Sequence, residues 1–322
     1  MKICVTGGAG YVGSALVPHL LKRGHDVTVL DTFWYGDYLG EHPRLRKMSG
    51  DIRKSNHLRK AFEDQQAVIH LACVSNDPTF KMNPKLGREI NYECFRDMLD
   101  VLRERKVARF VYASSSSVYG VSDLDRVVED APKNPLTDYS KFKLACEIEL
   151  QTYGTGGCWT ILRPSTVCGY ASRQRLDLVV NIFAIQALTK KKITVHGGDQ
   201  LRPNIHIKDM VRAYEHVLEM PMGRVNEKVF NVGYENISLT NIAKLVCELI
   251  PGTSVEVVDV VDDRSYKVDS KKIKDQLGFE ARHSITEAIE SIRDAYECGL
   301  LTEPMTNPDY YNIKKMEALG LL

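Results

Sequence analysis

The chain has 322 residues, of which 43% are hydrophobic and 26% are charged, and its formal net charge is +1. This length allows about two domains, and the even charge balance gives no general attraction for nucleic acid or an anionic membrane. No apolar run approaches the ~20 residues of a membrane span, and the first residue leads directly into an apolar segment, so we expect a cytoplasmic protein without a signal peptide.

The first 31 residues read as a strand, a glycine-rich turn, a helix and a second strand. KICVT (2–6) and VTVLD (27–31) are apolar and β-branched, whereas apolar residues between 11 and 22 recur at helical spacing. Buried parallel strands and an amphipathic helix have these patterns. Together they predict one βαβ unit.

Three glycines and one acid in this unit predict a dinucleotide site. Gly7 permits the tight turn, Gly10 lets the backbone approach a pyrophosphate, and Gly13 allows close packing of the helix. The helix N-terminus offers free N–H groups and partial positive charge to phosphates. Asp31 follows Gly13 by 18 residues, near the offset at which a carboxylate meets the adenosine ribose. Because this carboxylate would repel a 2′-phosphate, we expect NAD rather than NADP.

Alternating strands and helices continue through the first half of the chain. We predict strands at 67–72, 108–115 and 158–164 and helices at 84–106 and 139–154. The charged residues between 41 and 65 are interpreted as solvated surface. The alternation indicates an α/β fold with a doubly wound, Rossmann-type parallel sheet.

The second half mixes helices with short strands. The pattern predicts helices at 176–191, 238–250, 270–277 and 284–298, and strands within 193–206 and 228–233. Ser238 is the predicted N-cap of its helix. We expect residues 1–165, with segments near 204–234, to form the cofactor domain, and 166–203 with 235–322 to form a smaller, interleaved α/β substrate domain. The tail after 302 carries no functional assignment beyond docking as a short helix or assisting dimerisation.

The eight cysteines form no C-x-x-C pair, and no histidine spacing matches a zinc site. We therefore interpret the cysteines as buried free thiols and expect no metal.

Tyr139 and Lys143 are the candidate reacting groups. They lie four residues apart on a predicted helix and therefore share a face. A nearby ammonium and an oxidised nicotinamide can lower a phenol pKa from ~10 towards neutrality, which makes tyrosine a general base for a sugar hydroxyl. The run ASSSSVYG (113–120) ends the preceding strand, where ligands bind in open α/β sheets; alternatively, it is a polar loop. The same tyrosine–lysine spacing recurs at 310/314 and 311/315, which we interpret as surface residues.

The order of these motifs resembles the extended short-chain dehydrogenases/reductases, and specifically the nucleotide-sugar epimerase/dehydratase group that includes UDP-glucose 4-epimerases. TGGAGYVG, SSSSVYG, YSKFK, LRPSTVCG and RPNIHIKD carry the resemblance, which covers nearly all of residues 1–298. It implies NAD held in the first domain, a nucleotide-diphosphate sugar held by the second, and a homodimer.

The resemblance implies a role for each matching position. Ser115, Tyr139 and Lys143 match the catalytic residues. The cofactor positions are Gly7, Gly10, Tyr11, Val12, Asp31, Thr32, Asp51, Ile52, Leu71, Ala72, Asn91, Tyr139, Lys143 and Pro164. The substrate positions are Ser115, Thr166, Asn181, Arg202, Asn204 and Arg264. Arginine suits a diphosphate because its fork bonds two oxygens, although Arg202 and Arg264 can instead form surface ion pairs with Asp199 and Asp263.

Departures from the group pattern narrow the expected reaction. The 4,6-dehydratases carry Thr-Asp-Glu where this chain has Ser115, Ser116 and Ser117, and serine cannot replace those acids. The run ASRQRLDLVVN (171–181) is unusual for a simple UDP-glucose enzyme. We expect C4 epimerisation through a transient 4-keto sugar; a nucleotide-sugar 4-dehydrogenase or 4-ketoreductase is the alternative on the same residues. A non-catalytic protein that binds NAD and a nucleotide sugar is a third hypothesis.

Overall fold

The structure is a computed structural model that describes residues 1–75, 77–122, 124–259 and 266–322. Its strands are β1 (Lys2–Thr6), β2 (Asp26–Asp31), β3 (Leu45–Ser49), β4 (Ala67–His70), β5 (Arg109–Ala113), β6 (Cys158–Pro164), β7 (Thr166–Cys168), β8 (Lys192–His196), β9 (Leu201–His206), β10 (Lys228–Val232), β11 (Glu235–Ser238) and β12 (Ser254–Val258). Its α-helices are α1 (Tyr11–Lys22), α2 (Ser55–Ala61), α3 (Asp77–Met82), α4 (Pro84–Arg88), α5 (Phe95–Glu104), α6 (Asp138–Tyr153), α7 (Val179–Lys190), α8 (Ile207–Glu219), α9 (Met222–Val225), α10 (Leu239–Leu249), α11 (Lys271–Leu277), α12 (Ile285–Glu297) and α13 (Asn312–Ala318).

A seven-stranded parallel sheet forms the centre of the fold. Its strand order is β3-β2-β1-β4-β5-β6-β10. Ile3 and Val5 face one core with Leu16 of α1 and Met210 of α8, whereas Cys4 faces the other core, to which α2, α5 and α6 contribute. Helices therefore cover both faces, as a sheet that is apolar on both sides requires. The predicted doubly wound α/β fold is confirmed.

The second half of the chain interleaves with this sheet. β7, β9 and β11 form a three-stranded sheet, and β8 pairs with β12. After β9 the chain returns to the large sheet through α8 and β10, then leaves it again at β11. A third apolar core packs α7, α10 and α12 together. None of the described helices is long and apolar enough to cross a bilayer. All eight cysteines are free thiols as predicted, but only five of them are buried: Cys73 and Cys247 are half-buried and Cys298 is exposed.

Three sequence expectations differ from the structure. The predicted helix 84–106 is divided into α4, a π-helix (Glu89–Glu93) and α5. The supposed surface segment 41–65 contains the edge strand β3 and helix α2; its polar composition is that of an edge strand, which solvent reaches on one side. In the tail, Tyr310 is buried rather than on the surface, and it packs against the third core.

The start of α1 depends on glycine at position 13. A Cβ added at Gly13 would lie 2.5 Å from the carbonyl oxygen of Gly8 and 2.6 Å from that of Gly7. Because both atoms belong to the backbone, neither can rotate away as a side chain could. The helix therefore begins in direct contact with the glycine turn.

We expect Gly13→Ala to lower the free energy of unfolding by about 1–3 kcal/mol, since the added methyl group overpacks the turn. Urea-induced unfolding measures this change. Gly40→Ala is the matched control, because no described atom lies within 4 Å of the added methyl group. Equal stability of the two variants would contradict the assigned contact.

Candidate functional site

Two adjoining cavities open at the carboxyl edge of the large sheet. The first follows the ends of β1, β2, β4, β5 and β6 and is lined there by Gly7, Asp31, Ala72, Ser114 and Pro164. The second lies beside it, between the serine run after β5 and the smaller sheet. Ligands of open α/β proteins bind at this edge, where parallel strands end together.

The first cavity has the features of a dinucleotide site. Gly10 is the N-cap of α1, and a Cβ added there would approach the oxygen of Gly7 at 3.2 Å. The first N–H groups of the helix have no intrahelical acceptors and suit a pyrophosphate. The carboxylate of Asp31 is fixed by the backbone N–H groups of Ala9 and Phe33, each at 2.9 Å. Burial raises the pKa of Asp31, which these hydrogen bonds oppose.

The residues present therefore fit NAD. The predicted cofactor positions that line the first cavity are Gly7, Gly10, Tyr11, Val12, Asp31, Thr32, Asp51, Ile52, Leu71, Ala72, Tyr139, Lys143 and Pro164. Asn91 does not line it. Its buried amide instead binds both backbone groups of Val74, at 2.7 and 2.9 Å, and so holds the loop that forms the cavity wall. The π-helix turn around Asn91 places this amide behind the wall.

Helix α6 brings the predicted reacting groups to the junction of the two cavities. Thr137 caps the helix, and Tyr139 in its first turn lines both cavities. Lys143 lies one turn later, with its Nζ 5.9 Å from the centre of the Tyr139 ring. This ammonium is 4% exposed and donates to the carbonyl of Ala113 at 2.7 Å, which fixes its position.

Ser115 follows β5 and lies beside the second cavity. It lines the second cavity, and its hydroxyl accepts from the backbone of Ser117 at 3.1 Å and contacts the Ser117 hydroxyl at 2.9 Å. The preceding Ser114 is instead bonded to the buried Glu147. The serine run is therefore ordered by its own hydrogen bonds, with Ser115 facing the cavity that Tyr139 also lines.

The second cavity is positively charged and contains the predicted Thr166 and Arg202 in its lining. Its charged side chains, among the described residues, are Arg175 and Arg202, and no described aspartate, glutamate or histidine lines it. A cavity with this lining suits an anionic, hydroxyl-rich ligand such as a nucleotide-diphosphate sugar.

Two predicted substrate positions are corrected by the structure. Asn181 is 0% exposed and lines neither cavity; its amide donates to the carbonyl of Arg175 at 2.8 Å and accepts from the N–H of Gly169 at 3.0 Å. Asn204 is also 0% exposed, lies on β9 opposite Thr166, and donates to the carbonyl of Arg202 at 2.8 Å. Because both side chains are fully enclosed, their amides bond backbone groups behind the second cavity instead of facing into it. Arg264 lies outside the described residues.

Sequence reasoning missed a cluster contributed by the segment 169–178 and the tail. Arg173 lines the first cavity, and its Nη2 donates to the side chain of Asn312 at 2.6 Å. Asn312 in turn donates to the hydroxyl of Ser75 at 2.9 Å. Burial and the neighbouring Arg175 lower the pKa of Arg173 to about 10. The unusual run at 171–181 was the available signal; nothing in the tail sequence indicated its contact with the cavity.

Comparisons with known proteins agree with this geometry. The sequence model of the NAD dependent epimerase/dehydratase family matches residues 3–233. The UDP-glucose 4-epimerase of Lactobacillus helveticus is 28% identical over 306 residues, which cover 88% of this chain and 93% of that protein. UDP-glucuronic acid decarboxylase 1 of Arabidopsis thaliana is 29% identical over 323 residues, covering 94% of this chain and 71% of that protein.

A solved structure, MoeE5 in complex with UDP-glucuronic acid and NAD, is similar over 92% of this chain and 100% of its own, with a TM-score of 0.82 and 27% identity. The expected cofactor, NAD, is the cofactor of this family. The glycine turn and the paired Tyr139 and Lys143 agree with the family match over residues 3–233. The chain therefore belongs to the NAD-dependent epimerase/dehydratase family.

Proposed function

We propose that this protein is a nucleotide-sugar epimerase that inverts C4 of the sugar through a transient 4-keto intermediate. The observation that carries the proposal is the position of Tyr139, which lines both the cofactor cavity and the positively charged cavity beside it. A hydroxyl oxidised by a nicotinamide must lie between the coenzyme and a base, and the phenol is at that junction. The predicted homodimer and cytoplasmic location stay predictions.

In this proposal the chain's own groups bind the sugar and move one proton. Tyr139 accepts the proton of the C4 hydroxyl and later returns it. Lys143 stabilises the phenolate, and Ser115 bonds the same sugar oxygen from the second cavity. Bound NAD supplies a hydride acceptor that becomes the donor, so a complete turnover needs no external redox partner.

The lining of the second cavity favours epimerisation over dehydration. A 4,6-elimination needs groups that take the C5 proton and protonate the leaving hydroxyl. Ser116 is 3% exposed with its hydroxyl 3.2 Å from that of Tyr266, and the Ser117 hydroxyl accepts from Ser140 at 3.0 Å. The described lining offers no carboxylate or imidazole for either step.

We expect the purified protein, without added cofactor, to invert C4 of one member of a panel of UDP-, dTDP-, GDP- and CDP-sugars. UDP-glucose, UDP-galactose and UDP-glucuronic acid are the first substrates to test, because relatives act on or bind such compounds. In deuterated water the product acquires no deuterium at C4 or C5, since the C4 hydrogen returns as hydride. NMR spectroscopy reads both results. Accumulation of NADH with a keto sugar would favour the dehydrogenase alternative, and deuterium at C5 would contradict the mechanism.

Replacing Tyr139 by Phe should reduce turnover by about 10²–10⁴-fold, the contribution of a general acid–base group, while nucleotide-sugar binding is retained. Steady-state kinetics and calorimetric titration separate the two effects. The matched control is Tyr153→Phe at the far end of the same helix, where the hydroxyl is bonded to Asp100 outside both cavities. Unchanged turnover in the Tyr139 variant would remove the assignment of the base and leave the non-catalytic hypothesis.

Asp31→Asn should lower the preference for NAD over NADP by about tenfold or more, because it removes the charge that repels a 2′-phosphate. Competition between the two nucleotides for protein stripped of cofactor measures this ratio. Asp37→Asn is the charge-matched control, since Asp37 pairs with Lys47 outside the cavity. An unchanged ratio would place the adenosine ribose away from Asp31.

A further inference from the structure

One charged side chain in the second cavity has no assignment in the proposed reaction. Arg175 follows β7, is 8% exposed, and lines both cavities. The residues that line both cavities are Tyr11, Val12, Ser75, Ser114, Tyr139, Pro164 and Arg175. This set includes the proposed base Tyr139, so Arg175 borders the same junction of the two cavities.

The hydrogen bonds of Arg175 are incomplete. Its Nε donates to Asp177 at 2.8 Å and its Nη1 donates to the hydroxyl of Ser75 at 3.2 Å. Its Nη2 is buried and has no hydrogen-bond partner among the described residues. A buried donor without an acceptor is destabilising, and more so when the group is charged.

Arg163, a buried arginine elsewhere in the protein, has a hydrogen-bond acceptor for each of its guanidinium nitrogens and serves as a comparison. Arg163 is 2% exposed, and its three nitrogens donate to Glu147, to the Tyr119 hydroxyl and to the carbonyl of Glu129. Arg163 lines neither cavity. Among the described residues, Arg173 and Arg175 each have one buried nitrogen without a hydrogen-bond partner. Of these two, Arg175 lines both cavities, whereas Arg173 lines only the first.

Hydrogen bonds hold the backbone around Arg175 in one position, as expected for a residue that binds a ligand. Asn181 holds its carbonyl at 2.8 Å and also donates to the hydroxyl of Tyr11 at 3.2 Å. Tyr11 in turn donates to the carbonyl of Gly169 at 2.6 Å. Asp177 and Ser75 then orient the guanidinium itself, which reduces the conformational entropy lost on binding.

We propose that Arg175 is a sugar-binding residue, which donates a hydrogen bond to an oxygen substituent of the sugar at the junction of the two cavities. This inference rests on the proposed function, because it requires a nucleotide sugar in the second cavity. The oxygen belongs either to a neutral hydroxyl or to the carboxylate of a uronic acid, since a guanidinium binds both. In this arrangement Arg202, the other arginine that lines the second cavity, binds the diphosphate.

The test measures binding of UDP, UDP-glucose and UDP-glucuronic acid to the NAD-loaded protein by calorimetric titration. We expect Arg175→Gln to weaken both UDP-sugars by about tenfold or more while UDP itself binds within about twofold of the parent, because a charged hydrogen bond is lost only to the sugar. A larger loss for UDP-glucuronic acid assigns the carboxylate, and an equal loss for the two sugars assigns a hydroxyl. Arg109→Gln is the control, since this arginine donates to the carbonyl of Met220 and lines neither cavity.

Folding of the variants is checked by thermal unfolding and by bound NAD content. If Arg175→Gln fails to fold because Asp177 loses this ion pair, Arg175→Gln/Asp177→Asn removes both charges and is titrated instead. Unchanged sugar-to-UDP selectivity, or loss of NAD with sugar binding retained, overturns the inference. If the parent binds no UDP-sugar at all, the UDP-sugar form of the proposed function fails as well, so the two failures are distinguishable.

Discussion

Parallel alignment of the strands is the constraint on which the rest of this protein depends. Because β1, β2, β4, β5 and β6 run in one direction, their carboxyl ends open on a single edge. The glycine turn, the carboxylate of Asp31, the serine run and Pro164 all lie at those ends. Residues separated by more than 150 positions therefore meet along one cleft, and no side-chain contact between distant segments is needed to bring them there.

The segment 169–178 forms part of the cleft wall and connects it, through hydrogen bonds, to α1 and to the tail. It leaves β7, bonds to α1 through Tyr11, and carries Arg173 and Arg175 into the cavity walls. Asn312 of the tail completes this arrangement by bonding both Arg173 and Ser75. The tail thus forms part of the wall of the cofactor cavity, and its apolar Tyr310 anchors it to the third core. Buried polar networks of this kind specify one arrangement when their donors find acceptors.

The two cavities of the cleft differ in the charged side chains that line them. Asp31 and Asp51 line the first cavity together with basic side chains, whereas the described charged lining of the second cavity is arginine alone. Lys143 lies on the cofactor side of the junction beside Tyr139. A site of this polarity suits an anionic ligand beside the Tyr139 phenol, and the described lining of the second cavity lacks the acid that an elimination would require.

The sequence alone determined the fold class, the cofactor turn and the Tyr139–Lys143 pair. Those features depend on local periodicity and short spacings, which can be recognised in the sequence without knowledge of the tertiary contacts. It also predicted most of the first cavity's lining, because Gly7, Asp31, Ala72 and Pro164 end or follow predicted strands. Asp51 and Ile52 came only from the resemblance to the family, since their segment was predicted as surface. The tertiary structure alone decided that Asn181 and Asn204 lie behind the second cavity, that Arg175 lines both cavities and that Asn312 lines the first. Those outcomes depend on burial and on contacts between segments more than 100 residues apart, such as Arg173 with Asn312, and no local pattern encodes which polar side chain remains with an unfilled hydrogen bond.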